Sequence, residues 1–292
     1  MKKLKIILIF AVIIASGKLF AQQDPSYTLY KYNMNIINPA YVGSNEYTEL
    51  NLNFRSQWLN IEDSPETQSL SFAKPVNEKI GLGLSIVKDQ VDIIRETSYT
   101  IDFSYKLQVS ESSDLYLGLK AGGYTFSADF LSKGIRGDNL FSENVNRFNP
   151  VVGAGAYFKT DKFYATVSVP NVLNGKRVAR SNEDYAEATD ELHLFAGAGY
   201  TFDINEDLKF SPSFMTRFVQ GAKASVDLTG TFDIYEKVEL GASYRLDDSI
   251  SAIGLFKLAD WFQLGYAYEF TTSDIIEYSN NTHEVMLRFK LN

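Results

Sequence analysis

The chain has 292 residues, 28 Lys and Arg against 36 Asp and Glu, a net charge of −8 and a pI near 5.0, a balance that argues against nucleic acid as a partner. With no cysteine and two histidines, disulfides and thiolate metal sites are excluded, and no cofactor is expected. Hydrophobic residues make up 45% and aromatics 14%, with 18 Tyr and 21 Phe, which suits strand faces and membrane girdles and not disorder.

The first segment reads as a targeting signal. Lys2, Lys3 and Lys5 precede the apolar run 6–15, and Leu19-Phe20-Ala21 stands before Gln22-Gln23-Asp24. A signal peptide over 1–21 is expected, cleaved after Ala21. No cysteine follows the cleavage position, so a lipoprotein signal is excluded. The apolar run is too short to span a bilayer as a helix, and no other stretch approaches 18 apolar residues. If the mature chain sits in a membrane, it does so as strands.

Residues 22–47 form a second, irregular unit. They are rich in Tyr and Asn, including Tyr27, Tyr30, Tyr32, Asn33, Asn35 and Asn38, and carry Asn38-Pro39-Ala40-Tyr41-Val42-Gly43. Asn-Pro and the closing Gly are turn signals. The segment is expected to hold one helical turn and to lie in or under a barrel lumen, as a plug, as a strap on the barrel floor, or as a docking strip for periplasmic partners.

From residue 48 onward the sequence alternates with a period of two, which puts successive side chains on opposite faces of a strand. Leu50, Leu52, Phe54 and Trp58 oppose Asn51, Asn53, Arg55 and Gln57. Leu115, Leu117 and Leu119 oppose Tyr116, Gly118 and Lys120. Val238, Leu240, Ala242 and Tyr244 oppose Glu239, Gly241, Ser243 and Arg245. Segments of this kind at 48–58, 66–74, 79–88, 96–107, 115–126, 148–159, 163–169, 191–202, 207–219, 223–234, 237–246, 250–258, 261–271 and 282–291 make fourteen candidate strands. If the first runs outward, short turns fall on one side, at 75–78, 108–114, 160–162, 203–206, 235–236 and 259–260. The long connections 59–65, 89–95, 127–147, 171–190 and 272–281 all fall on the other. Outer-membrane barrels sort their loops this way. The predicted fold is all-β, a transmembrane antiparallel up-and-down barrel of about fourteen strands over 48–292. Its last strand should pair with its first, with Phe289 and Leu291 toward lipid.

The stretch 24–67 carries D-P-x-x-x-x-Y (Asp24, Pro25, Tyr30), N-P-A-Y-x-G (Asn38 to Gly43), R-x-Q-W (Arg55, Gln57, Trp58) and S-P-E-T (Ser64 to Thr67). These motifs resemble the PorP/SprF family of outer-membrane proteins of the type IX secretion and gliding systems of Bacteroidota. The resemblance implies a barrel in the cell outer membrane that receives the C-terminal domain of a secreted adhesin and anchors it at the cell surface. It also implies periplasmic secretion or motor components as further partners, with outer-membrane lipid around the wall.

No catalytic constellation emerges, and the chain is expected not to be an enzyme. His193 and His283 lie on different candidate strands. Asp102, Asp227 and Asp233 fall on the polar faces with Lys106, Arg245 and Arg288, where lumen ion pairs are the ordinary reading. Gly118-Leu119-Lys120-Ala121-Gly122-Gly123 and Gly153-Ala154-Gly155 sit within strands and lack phosphate-loop spacing, so close packing in the lumen explains them better. Loops on a rigid scaffold carry recognition. The candidate partner-binding residues are therefore Tyr30, Asn38, Pro39 and Tyr41 of the first segment, Arg55 and Trp58 of the first strand, and Arg136, Phe141, Arg177, Tyr185 and Tyr278 of the long loops. The alternative function is an outer-membrane channel or hydrophobic-substrate transporter.

Overall fold

The structure is a computed structural model that describes residues 27–59, 61–133, 144–173, 175–178, 188–189, 191–220, 222–273 and 281–291. The signal peptide expected over 1–21 lies outside them. The chain forms a closed, antiparallel barrel of fourteen strands. In order these are β1 (Thr48–Gln57), β2 (Glu66–Pro75), β3 (Ile80–Val91), β4 (Ile94–Ser110), β5 (Ser113–Ala128), β6 (Val145–Thr160), β7 (Phe163–Val169), β8 (His193–Tyr200), β9 (Leu208–Val219), β10 (Ser225–Ile234), β11 (Val238–Arg245), β12 (Ser249–Ala259), β13 (Phe262–Thr271) and β14 (Asn281–Leu291). A short piece, Phe202–Asp203, prolongs β8, and Lys176–Val178 pairs with Ala188–Thr189 as a separate ribbon. Each strand pairs with its sequence neighbour. The wall closes where β1 meets β14, Thr48 opposite Leu291 and Gln57 opposite Thr282.

The connections sort as the alternation predicts. On the inner rim the chain turns at 76–79, 111–112, 161–162, 201–207, 235–237 and 260–261; the outer rim carries 58–65, 129–144, 170–192 and 272–280. One predicted outer loop is not a loop. Residues 89–95 form a tight hairpin around 92–93, because the ladder continues to Val91 opposite Ile94. Asp92 takes the turn with φ 52°. Polar side chains at Asp89, Gln90, Arg95 and Glu96 hide this extension from a hydrophobicity reading.

The barrel is packed inside out. Leu82, Leu84, Ile101, Phe103, Leu117 and Leu119 point away from the axis and are exposed, while the alternate positions Asn51, Asn53, Ser71, Asp102, Ser104 and Glu284 are buried toward the lumen. Among the described residues no helix is long and apolar enough to cross a membrane; the strands provide the crossing surface. Aromatic pairs gather near the inner rim. Phe289 stacks on Phe262 at 5.1 Å and on Trp261 at 6.2 Å, Phe210 meets Phe232 at 4.8 Å, and Tyr200 meets Phe202 at 4.6 Å. Amphipathic rings favour such an interfacial belt.

Candidate functional site

The site is the lumen and what fills it. A fourteen-stranded barrel is wider than its wall side chains can fill, since about eight strands already reach that limit. Residues 27–44 occupy the space. They form three 3-10 turns, Tyr30–Tyr32, Met34–Ile36 and Pro39–Tyr41, where the sequence reading expects one helical turn. Leu29, Asn35, Asn38, Ala40 and Val42 have 0% exposure.

The segment runs downward through the barrel. Its start is fixed in the outer half by a buried charge network. Arg55 on β1 reaches Glu284 on β14 at 3.2 Å and Glu269 on β13 at 2.8 Å. The Thr28 and Leu29 backbone N–H groups donate to the two Glu284 carboxylate oxygens at 2.7 and 3.2 Å, and Asn53 Nδ2 donates at 2.8 Å. Arg245 extends the network through Asp227 at 2.7 Å and Glu269 at 3.5 Å. A buried carboxylate persists only with such donors around it.

The middle is held by small polar groups. Ser71 Oγ donates to Asn33 Oδ1 at 2.5 Å. Lys120, paired with Asp102 at 2.8 Å, donates to the Asn35 carbonyl at 3.2 Å. Lys106, with which the sequence reading groups Asp102, pairs instead with Asp114 at 2.8 Å. Asn38 is the pivot of the lower half. Its Oδ1 accepts from Ala40 N at 2.8 Å and so caps the last turn, while Nδ2 donates to Thr166 Oγ1 at 2.7 Å and the Ala156 carbonyl at 3.0 Å. Below it Lys159 donates to the Ser44 carbonyl at 2.9 Å, and Arg288 binds Glu49 at 2.6 Å and Tyr47 at 3.1 Å.

Glycines make room for this path. A Cβ on Gly118 would stand 2.1 Å from Ala40 N, one on Gly81 2.3 Å from the Val42 carbonyl, and one on Gly155 2.1 Å from Asn38 Oδ1. Gly43, with φ +77°, ends the segment in a conformation that other residues rarely adopt. The lumen wall is thus cut to the outline of Asn-Pro-Ala-Tyr-Val-Gly. Gly122 serves another purpose, since its Cβ would meet the Tyr99 carbonyl of the adjacent strand at 2.0 Å.

The candidate partner-binding residues therefore separate. Tyr30, Asn38, Pro39, Tyr41 and Arg55 are buried inside the barrel against its own wall. Tyr41 packs edge-on to Tyr157 at 5.4 Å, and burial beside Glu49 pushes its phenol well above the usual value. Trp58 stands at the outer rim, half-buried, with φ 57°. Arg136, Phe141, Tyr185 and Tyr278 lie outside the described residues. Arg177 falls in the strand Lys176–Val178, and its side chain lies outside them too. Sequence reasoning assigns no role to Glu284, Glu269, Thr166 or Ser168. Their only signal is membership of the polar strand faces, because the pairing of distant strands decides which of them meet the segment.

Comparison with known proteins bears on family and fold. The sequence model of a family described as type IX secretion system membrane protein PorP/SprF matches residues 19–289. No curated protein matches the sequence. Among solved structures, the CymD monoaromatic hydrocarbon channel is 12% identical with a TM-score of 0.55, covering 89% of this chain and 92% of that one. A Pseudomonas aeruginosa FadL homologue is 12% identical with a TM-score of 0.51, covering 94% and 96%. At such identity these similarities speak for the barrel fold alone.

Proposed function

This chain belongs to the PorP/SprF family of type IX secretion system membrane proteins, and from that premise we propose that its outer mouth binds the C-terminal domain of a secreted adhesin and anchors it at the cell surface. The protein is a barrel of the cell outer membrane. The observation that carries the reading is the filled lumen. With residues 27–44 buried against the wall, the surface left for a large partner is the outer rim and its long connections. Trp58 and the loop residues Arg136, Phe141, Arg177, Tyr185 and Tyr278 belong to that rim in sequence. Recognition there needs no catalytic group, and we read the chain as a binding protein and not an enzyme. Periplasmic secretion or motor components would meet the short inner turns.

The rival reading is a channel or hydrophobic-substrate transporter, drawn from the fold shared with the hydrocarbon channel. A lumen occupied by residues 27–44 weighs against it for the intact chain. The deciding experiment is affinity capture of the native barrel from outer membranes, together with deletion of its gene. Co-recovery of a large secreted protein, and its loss from the cell surface on deletion, is expected. A solute-permeable intact barrel that captures no secreted protein would overturn the proposal.

A further inference from the structure

The lumen-facing wall is only partly apolar. Its buried side chains include Asn51, Asn53, Ser69, Ser71, Ser104 and Thr231, with charged groups between them, beside apolar patches at Tyr157 and Met215 and at Ile253, Leu255 and Met286. Its hydroxyls and amides can hydrogen-bond to water as well as to peptide. Contacts of this exchangeable kind seat residues 33–42, Asn33 with Ser71, Asn38 with Thr166, Ile37 with Ser168 and Val42 with Ser104, alongside the apolar packing of Leu29, Tyr32, Met34 and Tyr41. The segment is joined to the barrel at one end only within the described residues, through 45–47 into β1.

A second observation is independent of wall polarity. Gly81, Gly118 and Gly155 lie on three different strands, β3, β5 and β6, yet all three leave space for the same six residues, Asn38 to Gly43. Three hydrogens aligned under one peptide make a groove with a shape. We propose that this groove is a peptide-binding site, that the Asn-Pro-Ala-Tyr-Val-Gly stretch is its tethered ligand, and that the barrel is a water-filled pore held shut by that ligand. The site takes a short peptide whose Asn-Pro pair opens a 3-10 turn. Asn38 Nδ2 donates to Thr166 and to the Ala156 carbonyl of the wall while its Oδ1 caps Ala40 N, Pro39 and Ala40 fit where no Cβ stands below them, and Tyr41 anchors on Tyr157. Vacating the groove leaves a polar lumen of a strand number close to that of aqueous porins.

The readout is potassium chloride conductance in planar bilayers, which does not depend on any adhesin. The full-length barrel should give no single-channel steps. Two variants should open it: a chain lacking residues 27–43, and the full-length Gly118→Val chain, whose new side chain occupies the position of the Ala40 backbone. Folding of each is checked first by the shift in gel mobility between heated and unheated barrel. A synthetic peptide of residues 27–43 should close the deleted barrel in a dose-dependent way, and the same peptide with Asn38→Ala should require at least about tenfold more, as the loss of a buried hydrogen bond implies. Folded variants that stay silent overturn the proposal. So does failure of both variants to fold, because the segment would then be an integral part of the wall and not a ligand of it. An open deleted barrel indifferent to the peptide overturns the binding site.

Discussion

At the scale of single residues, the paired buried polar groups each have a measurable consequence. Asn38→Ala would strand the Thr166 hydroxyl, the Ala156 carbonyl and the Ala40 N–H. A loss of about 2–3 kcal/mol is expected, read as a lower urea midpoint of the folded, unheated gel band. Arg55→Ala would remove the cation that Glu269 and Glu284 share, with Arg245 still beside Glu269. Breaking a buried pair from one side costs about 3–5 kcal/mol, so this variant should be the more damaging. Arg55→Lys should recover only part of the loss, since a lysine cannot bridge two carboxylates as a fork. The phenols of Tyr30 and Tyr41 give a pH dependence. Burial raises both above the ordinary value of 10.0. A raised folded value means that their contribution is complete below pH 10 and fades as pH rises past it. Loosening of the segment should therefore begin in the alkaline range, seen as tyrosinate absorbance together with gain of protease access to residues 27–44.

At the scale of elements, β9 and β14 show how local chemistry sets strand limits. Pro212 has no N–H to give, and the ladder from β8 is interrupted beside it: Ser213 pairs with Gly199, and Phe210 with Phe202. A sequence reading sees one run over 191–202, because alternation alone does not register a missing donor on the adjacent strand. β14 is plainer. Its register against β1 follows from matched alternation, and its Phe289 joins the inner aromatic belt. Phe289→Asp should lower the amount of barrel in the outer membrane several-fold, measured by immunoblot of fractionated membranes; unchanged levels would refute the role given to this belt. Alternation made all fourteen strands legible, together with the loop parity. The hairpin at 92–93 was not legible, because its flanks are polar on both faces above the membrane.

At the scale of the molecule, the N-terminal segment is where sequence reading reaches its limit. Its Asn and Tyr content signals that partners are needed. Which partners depends on a wall assembled from strands more than a hundred residues away, such as β6 and β7 for Asn38. The glycines at 81 and 118 are visible as inward positions, but their common purpose appears only when β3 and β5 are brought beneath the same peptide. The outer rim yields the corresponding functional prediction. Replacing residues 134–143 by a short Gly/Ser linker should leave the heat-modifiable barrel intact and reduce adhesin display, measured by surface labelling of the captured protein. Equal loss of barrel and display would instead indicate a folding defect.

The three residues 45–47 that join the segment to β1 have a consequence in concentration units. A ligand on so short a leash meets its groove at an effective concentration on the order of millimolar. A free peptide in solution competes against that value, so even a well-fitting competitor at micromolar levels leaves the intact barrel closed. Opening therefore demands a partner that weakens the tethered contacts rather than one that imitates them, and whatever seats itself on the outer mouth near Thr28 and Arg55 is positioned to do so.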